Sequence, residues 1–174
     1  VITVLFPFEA AARNTHLEPK ELRGFSKRLD DYYTAVFSLL HSVFTVSPQM
    51  RYTVLPSFSP GYAWSLESQD GDKYFLLMNM LEENFWYTGN REMHTKRIDI
   101  SPNLYHAARE LLLTVAGQIR VPDVKEHVLD GVVYYFSVTE KNGAVRTGFT
   151  HSPKKDSPMA RLVVICDALG GLPE

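Results

Sequence analysis

Cysteine is almost absent from this chain: Cys166 is its single cysteine. An intrachain disulfide is therefore excluded, so the fold must depend on its hydrophobic core, and cysteine usage leaves the redox compartment open. The chain also contains no Asn-x-Ser/Thr sequence. This absence gives no support to a glycosylated eukaryotic surface protein.

Long hydrophobic runs and an excess of positive charge are missing as well. The longest apolar stretches, such as 75–78 and 162–166, are far shorter than the roughly 20 residues that span a bilayer, so no transmembrane segment is expected. The formal net charge is -2 and the sequence pI is about 6.3. Nucleic-acid binding usually needs a broad basic face, so no nucleic-acid partner is predicted.

Sequence motifs of the well-defined enzyme classes are missing too. There is no G-x-S-x-G, H-E-x-x-H, C-x-x-C, Walker phosphate loop or G-x-G-x-x-G. No two of the six histidines have the i, i+4 spacing of helical zinc ligands, and Cys166 falls on an apolar helical stripe, where a thiol is usually a core residue. We therefore predict neither a metal nor a cofactor, while catalysis by residues dispersed along the chain stays open.

What is present is an ordinary globular composition, with 45% hydrophobic and 22% charged residues among 174. A chain of this length is expected to bury roughly 70% of its unfolded surface, and no linker divides it, so we predict a single domain over residues 1–174. The chain begins at Val1 rather than Met, which favours a periplasmic or secreted protein from which a leader was removed. The stretch from Asp130-Gly131 to Ser152-Pro153 resembles bacterial α+β domains of unassigned function, which implies only a bacterial source.

Three stretches have the three- and four-residue apolar spacing of amphipathic helices. The first begins at Pro19 and ends before Ser47-Pro48, with a bend at Gly24. The second begins at Ser101-Pro102, and the third begins at Ser157-Pro158 and ends at Gly170-Gly171, where serine caps and prolines are typical of helix starts. The alternative that residues 162–166 form a buried strand is weaker because both ends carry helix signals.

The remaining apolar stretches alternate or are rich in β-branched and aromatic residues, which is typical of strands. The Asp70-Gly71 pair predicts a hairpin between the second and third of the internal strands. In chain order the predicted strands are residues 1–6, at an edge of the sheet, and then 52–55, 62–66, 73–81, 93–100, 132–138 and 144–150.

The order of these elements predicts the fold class. Helices and strands do not alternate strictly, as they do in parallel sheets, and several strands follow one another directly. We therefore predict an α+β fold in which a mainly antiparallel sheet is packed on one face by about three helices.

An aromatic loop within residues 82–91 is the first candidate site. Rigid amphipathic rings beside cations are typical of binding surfaces, whereas consecutive aromatics also occur in ordinary sheet packing. The predicted ligand- or partner-binding residues are Trp64, Phe85, Trp86, Tyr87, Lys96 and Arg97.

The connection before the last helix is the second candidate. A helix N-terminus and two lysines favour a phosphate or carboxylate there, and a solvated connection is the alternative. The predicted anion-site residues are His151, Ser152, Lys154 and Lys155.

These observations favour a binding module without enzymatic activity, whose ligand is a peptide, a sugar or a partner protein. The alternative is a hydrolase or transferase with a dispersed site drawn from His94, His151, Asp130 and Tyr135. The sequence specifies neither the ligand nor the oligomeric state.

Overall fold

The computed structural model describes residues 15–19, 26–121 and 130–171. The predicted strand at residues 1–6, the bend at Gly24 and His127 lie outside these ranges. No helix within them is both long and apolar enough to cross a membrane. The elements, in chain order, are β1 (Glu18–Pro19), α1 (Lys27–Leu40), β2 (Met50–Pro56), β3 (Tyr62–Gln69), β4 (Lys73–Leu81), α2 (Phe85–Thr88), β5 (Met93–Ile100), α3 (Pro102–Ala116), β6 (Val132–Thr139), β7 (Val145–His151) and α4 (Pro158–Gly170).

All of these strands belong to one sheet with the order β1-β7-β6-β2-β3-β4-β5, and every neighbouring pair is antiparallel. The predicted α+β class with an antiparallel sheet is confirmed. The Asp-Gly hairpin is confirmed too: β3 pairs with β4 from Tyr62↔Met80 to Gln69↔Lys73. Asp70 and Gly71 have φ values of 58° and 80°, the left-handed backbone that this turn requires.

Serine caps begin the last two long helices, as predicted. The Ser101 hydroxyl accepts a hydrogen bond from the Leu104 amide at 3.2 Å, and the Ser157 hydroxyl accepts one from the Ala160 amide at 3.1 Å. Each serine is followed by proline, whose missing N–H is not needed in the first turn. Because residues 162–166 lie inside α4, the alternative strand is wrong.

The first helix begins later than predicted. Ser26 caps it and Lys27 is its first residue, whereas Pro19 lies in β1 opposite Gly148. Apolar spacing alone missed this, because the pairing of Pro19 with a distant strand leaves no local signal. The predicted helical residues Leu22 and Phe25 lie outside the described ranges.

The helices are divided between the two faces of the sheet, which corrects the prediction that about three helices cover one face. Alternate residues of β2 separate cleanly: Tyr52 and Val54 pack in one core with α3 and α4, while Leu55 packs in another with α1. We call the first the α3/α4 face and the second the α1 face. The larger core lies on the α3/α4 face. It includes Trp64, Leu112 and Cys166, and each of these side chains is fully buried.

The α1 face holds buried polar side chains as well as apolar ones. The Asn79 amide donates to the Leu40 carbonyl at 3.0 Å, and its oxygen accepts from the Thr95 hydroxyl at 2.7 Å. His41, just after α1, lies 2.8 Å from the Thr53 hydroxyl. Helix α1 is thus joined to the sheet by specific hydrogen bonds in addition to apolar contacts.

Candidate functional site

Loops from six strand ends meet at one end of the sheet. Because neighbouring strands are antiparallel, β2, β4 and β7 finish where β3, β5 and β6 begin. Both segments that the sequence singled out lie at this end, although β6, β2 and β3 separate the end of β7 from the end of β4. We call this end the rim, and it comprises residues 56–61, 82–92, 130–131 and 151–157.

Asn84 joins two of the rim loops. Its side-chain amide donates to the backbone carbonyls of Pro56, Ser57 and Ser59, the last at 2.8 Å. Its oxygen accepts a hydrogen bond from the Trp86 amide at 3.0 Å and caps the short helix α2. The loop between β2 and β3 is therefore fixed against the loop between β4 and β5.

Gly131 extends this network toward β7. Ser57 donates its amide to the Gly131 carbonyl at 2.8 Å, and Gly131 donates its own amide to the Ser57 hydroxyl at 3.0 Å. Gly131 has φ of 140°, and a Cβ at this position would lie 2.2 Å from the Ser152 hydroxyl oxygen. Both the positive φ and the short distance to Ser152 exclude a side chain at this position. Glycine therefore allows the start of β6 to lie directly against the residue that follows β7.

Two exposed rings project from the joined loops. Phe58 is 70% exposed and Tyr87 is 61% exposed, although large apolar rings are usually buried. Their ring centroids lie 6.4 Å apart and their planes differ by 12°. We call Phe58 and Tyr87 the aromatic pair.

Trp86 and Phe85 lie beneath this surface rather than on it. Trp86 is half-buried, meets the Tyr32 ring edge-on at a centroid distance of 4.9 Å, and has the Arg28 guanidinium 4.7 Å from its centre. Phe85 is half-buried against the core of the α1 face. These two rings dock α2 onto α1, so the structure supports the packing alternative for them.

The other predicted binding residues do not join the aromatic pair. Trp64 is 0% exposed and donates its indole N–H to the Cys166 carbonyl at 3.1 Å, which corrects its assignment to a binding surface. Lys96 and Arg97 are consecutive in β5, so their side chains leave opposite faces of the sheet. The Arg97 guanidinium lies 3.8 Å from the centre of the Phe75 ring and bonds to Asp99 at 3.2 Å.

The predicted anion-site residues lie around the end of β7. His151 is half-buried, and the Ser152 hydroxyl accepts a hydrogen bond from the Val132 amide at 3.0 Å. Lys154 and Lys155 are exposed, and the Lys154 carbonyl accepts from the Ser157 amide at 3.0 Å. These residues share one loop, but Ser152 and the cap of α4 are occupied by contacts within the protein, which favours the solvated connection.

The dispersed catalytic set is not brought together. His94 leaves the sheet on the α3/α4 side, beside Lys96, and pairs with Glu82 at 2.9 Å. Tyr135 and His151 lie on the α1 face, and burial raises the pKa of Tyr135. Asp130, the fourth member, is exposed on the rim. Since the sheet separates His94 from Tyr135 and His151, the four residues do not form one reaction centre. No cluster of metal-binding side chains occurs in the described part of the chain.

Sequence reasoning missed two features of the surface. Phe58 lies in a Ser-Phe-Ser-Pro-Gly turn, and an aromatic residue among turn formers was the available signal that it is exposed. Asp167, next to Cys166 on the margin of the α4 stripe, accepts hydrogen bonds from two tyrosines that are distant in sequence. Nothing local to Asp167 indicates that contact.

Searches of family models, curated proteins and solved structures found no match to this chain.

Proposed function

We propose that this protein is a binding module that holds a peptide segment of a partner protein on the aromatic pair of the rim. The observation that carries the proposal is the exposure of Phe58 and Tyr87 on loops that are fixed to each other through Asn84. Rings held in place before binding lose little conformational entropy on association, which is why rigid aromatic residues dominate binding energies at protein interfaces.

The surroundings of the pair favour a peptide over a sugar. A sugar site needs polar groups directed at the ligand, and Asn84, which joins the two loops, already uses both ends of its side chain inside the protein. Phe58 itself has no polar atom on its side chain. Two apolar ring faces suit an apolar or aromatic side chain of a peptide.

The test compares the double substitution Phe58→Ser/Tyr87→Ser with the wild-type protein in selections from a random peptide phage library. We expect peptides that bind the wild type and lose at least tenfold in binding to the double variant. Val46→Ser is the matched control, because Val46 is 95% exposed and lies before β2, at the opposite end of the sheet. Selected peptides should bind this control as they bind the wild type.

Thermal unfolding decides whether a loss of binding is specific. Removing exposed rings is expected to change the free energy of unfolding by less than about 0.5 kcal/mol. A larger drop would mean that the pair supports the fold, and peptides that bind the double variant equally well would contradict the proposed site. If the protein binds a glycan array through the same two rings and binds no peptide, the ligand of this site is a sugar and not a peptide.

A further inference from the structure

A second group of aromatic residues surrounds a carboxylate on the α3/α4 face. Tyr62 and Tyr134 are both in register with Val54, one on each neighbouring strand, so their side chains leave the same face in one row. Tyr52 lies in the next row, and its ring is parallel to that of Tyr134, with an interplanar angle of 7° and centroids 6.2 Å apart. Tyr62 and Tyr134 are half-buried, so part of each remains accessible to solvent.

Asp167 of α4 is held against these rings. Its Oδ1 accepts hydrogen bonds from the Tyr52 hydroxyl at 2.9 Å and from the Tyr62 hydroxyl at 2.6 Å. Burial, with the neighbouring carboxylate, raises the pKa of both tyrosines, so both remain donors at neutral pH. The carboxylate is thus fixed in orientation, while the residue itself is exposed.

The charge of Asp167 has no counter-ion within the described residues. The ion pairs found there involve other carboxylates, and both hydrogen bonds to Asp167 come from neutral hydroxyls at Oδ1. Oδ2 makes no hydrogen bond to the described part of the protein. An oriented carboxylate oxygen therefore remains available next to two tyrosine rings.

The position of Asp167 in α4 is unfavourable for a negative charge. It lies in the last turn of the helix, where the backbone carbonyls already make the potential negative and a cationic residue would be stabilising. The two tyrosine hydroxyls offset part of this cost, because a hydrogen bond to an ionised acceptor is stronger than one to a neutral acceptor. No cation among the described residues compensates the rest, so a bound cation would be stabilised at this carboxylate.

We propose that Asp167, Tyr62 and Tyr134 form a binding site for an organic cation, an ammonium or guanidinium group. Oδ2 of Asp167 accepts its N–H donors, the carbonyl end of α4 adds to the attractive potential, and the two tyrosine rings contact the cation as aromatic faces do. The cation belongs either to a free amine or to a lysine or arginine side chain of a partner. The site is independent of the aromatic pair on the rim.

The test is an NMR titration of the ¹⁵N-labelled protein with methylguanidinium chloride, with sodium chloride adjusted to keep the ionic strength constant. We expect saturable shifts at residues 62, 134 and 167. Asp167→Asn should weaken binding at least tenfold while the variant stays folded. Asp72→Asn is the matched control, since Asp72 is an exposed aspartate in the turn between β3 and β4, at the other end of β3.

A second variant and a second ligand sharpen the result. Tyr134→Leu removes a ring without removing a hydrogen bond to Asp167, and should weaken binding at least threefold. A blocked Gly-Arg-Gly peptide that binds at the same residues more tightly than methylguanidinium assigns the cation to a partner side chain, whereas equal or weaker binding assigns it to a free amine. Either outcome supports the site.

Three results would overturn the proposal. Shifts that grow linearly without saturation would show only general ionic effects. Equal affinity in Asp167→Asn would show that the carboxylate does not bind the cation. A tenfold loss of affinity in Asp72→Asn as well would show that binding follows the net charge of the protein and not Asp167.

Discussion

The two faces of the sheet are built from different chemistry. On the α3/α4 face the core is almost wholly apolar, with Trp64 and Leu112 at its centre. On the α1 face a smaller apolar core lies beside buried polar side chains, among them Asn79, Thr53 and Glu67. Both faces belong to the same strands, so alternation along each strand produces the difference.

This difference separates two contributions to the fold. Apolar burial is nondirectional and stabilises in proportion to area, whereas buried polar groups add little net stability but are costly when a partner is removed. The α3/α4 face is therefore expected to supply most of the stability. The hydrogen bonds of the α1 face are expected to determine where α1 lies on the sheet.

Alkaline pH should have the largest effect, because it acts on both faces together. Burial raises the pKa of Tyr32 from 10 to about 12, and also raises the pKa of Tyr135 on the α1 face and of Tyr52 on the other. The folded state holds these protons more tightly than the unfolded state, so their stabilisation is complete below pH 10. For Tyr32 it is lost as the pH rises from 10 through about 12, and for Tyr52 and Tyr135 the loss likewise begins above pH 10.

Urea unfolding between pH 8 and 12, with tyrosinate absorbance followed in parallel, measures this loss. Above pH 10 the free energy of unfolding should decrease less steeply with pH in Tyr135→Phe than in the wild type. The two slopes should differ by about 1.4 kcal/mol per pH unit, because one titrating group is removed. An unchanged slope would show that Tyr135 ionises in the folded protein.

Leu112→Ala tests the apolar face. Removal of methyl groups from a fully buried site should lower the free energy of unfolding by about 2 to 5 kcal/mol, through lost burial and the cavity left behind. Urea titration gives the value. A loss below about 0.5 kcal/mol would mean that this face does not supply the main core.

Asn79→Ala tests the polar face. The substitution leaves the Leu40 carbonyl without its donor from Asn79, and an unsatisfied buried polar group costs about 1 to 3 kcal/mol. Asn103→Ala is the control, because Asn103 is exposed at the start of α3. Hydrogen exchange should be faster in α1 of the Asn79 variant and unchanged in α3, whereas equal acceleration in both helices would contradict the separate roles of the faces.

Val164→Ser should have the smallest effect. Val164 is 65% exposed on the outer side of α4, next to Val163, which is 7% exposed in the core of the α3/α4 face. We expect a change within about 0.5 kcal/mol for Val164→Ser, and a larger loss for Val163→Ala. If thermal unfolding shows the same loss of stability for both variants, the outer side of α4 makes a contact that stabilises the fold.

Local signals predicted much of the secondary structure. The bounds of β4 and β5 match the predicted 73–81 and 93–100, and the serine-proline caps place the starts of α3 and α4. Apolar periodicity shows that a helix buries one side, but not which face of a sheet that side meets. The division of the helices between both faces was missed for this reason.

The candidate surface was less accessible to sequence reasoning. Adjacent rings at Phe85, Trp86 and Tyr87 appeared as one cluster, but a helical turn directs them differently and leaves Tyr87 the most exposed. Its neighbour Phe58 comes from another loop, through contacts that depend on Asn84. Such contacts arise from tertiary structure and have no periodic signal.

The central position of β2 has a consequence for the order of folding. On one side β2 pairs with β3, which follows it directly, and on the other it pairs with β6, which comes much later in the chain. Closing a long loop costs entropy before the new contacts compensate for it, so pairings between distant segments form slowly. We expect the β2–β5 meander to form early, during synthesis, with one side of its central strand open until residues 132–139 of β6 have been made.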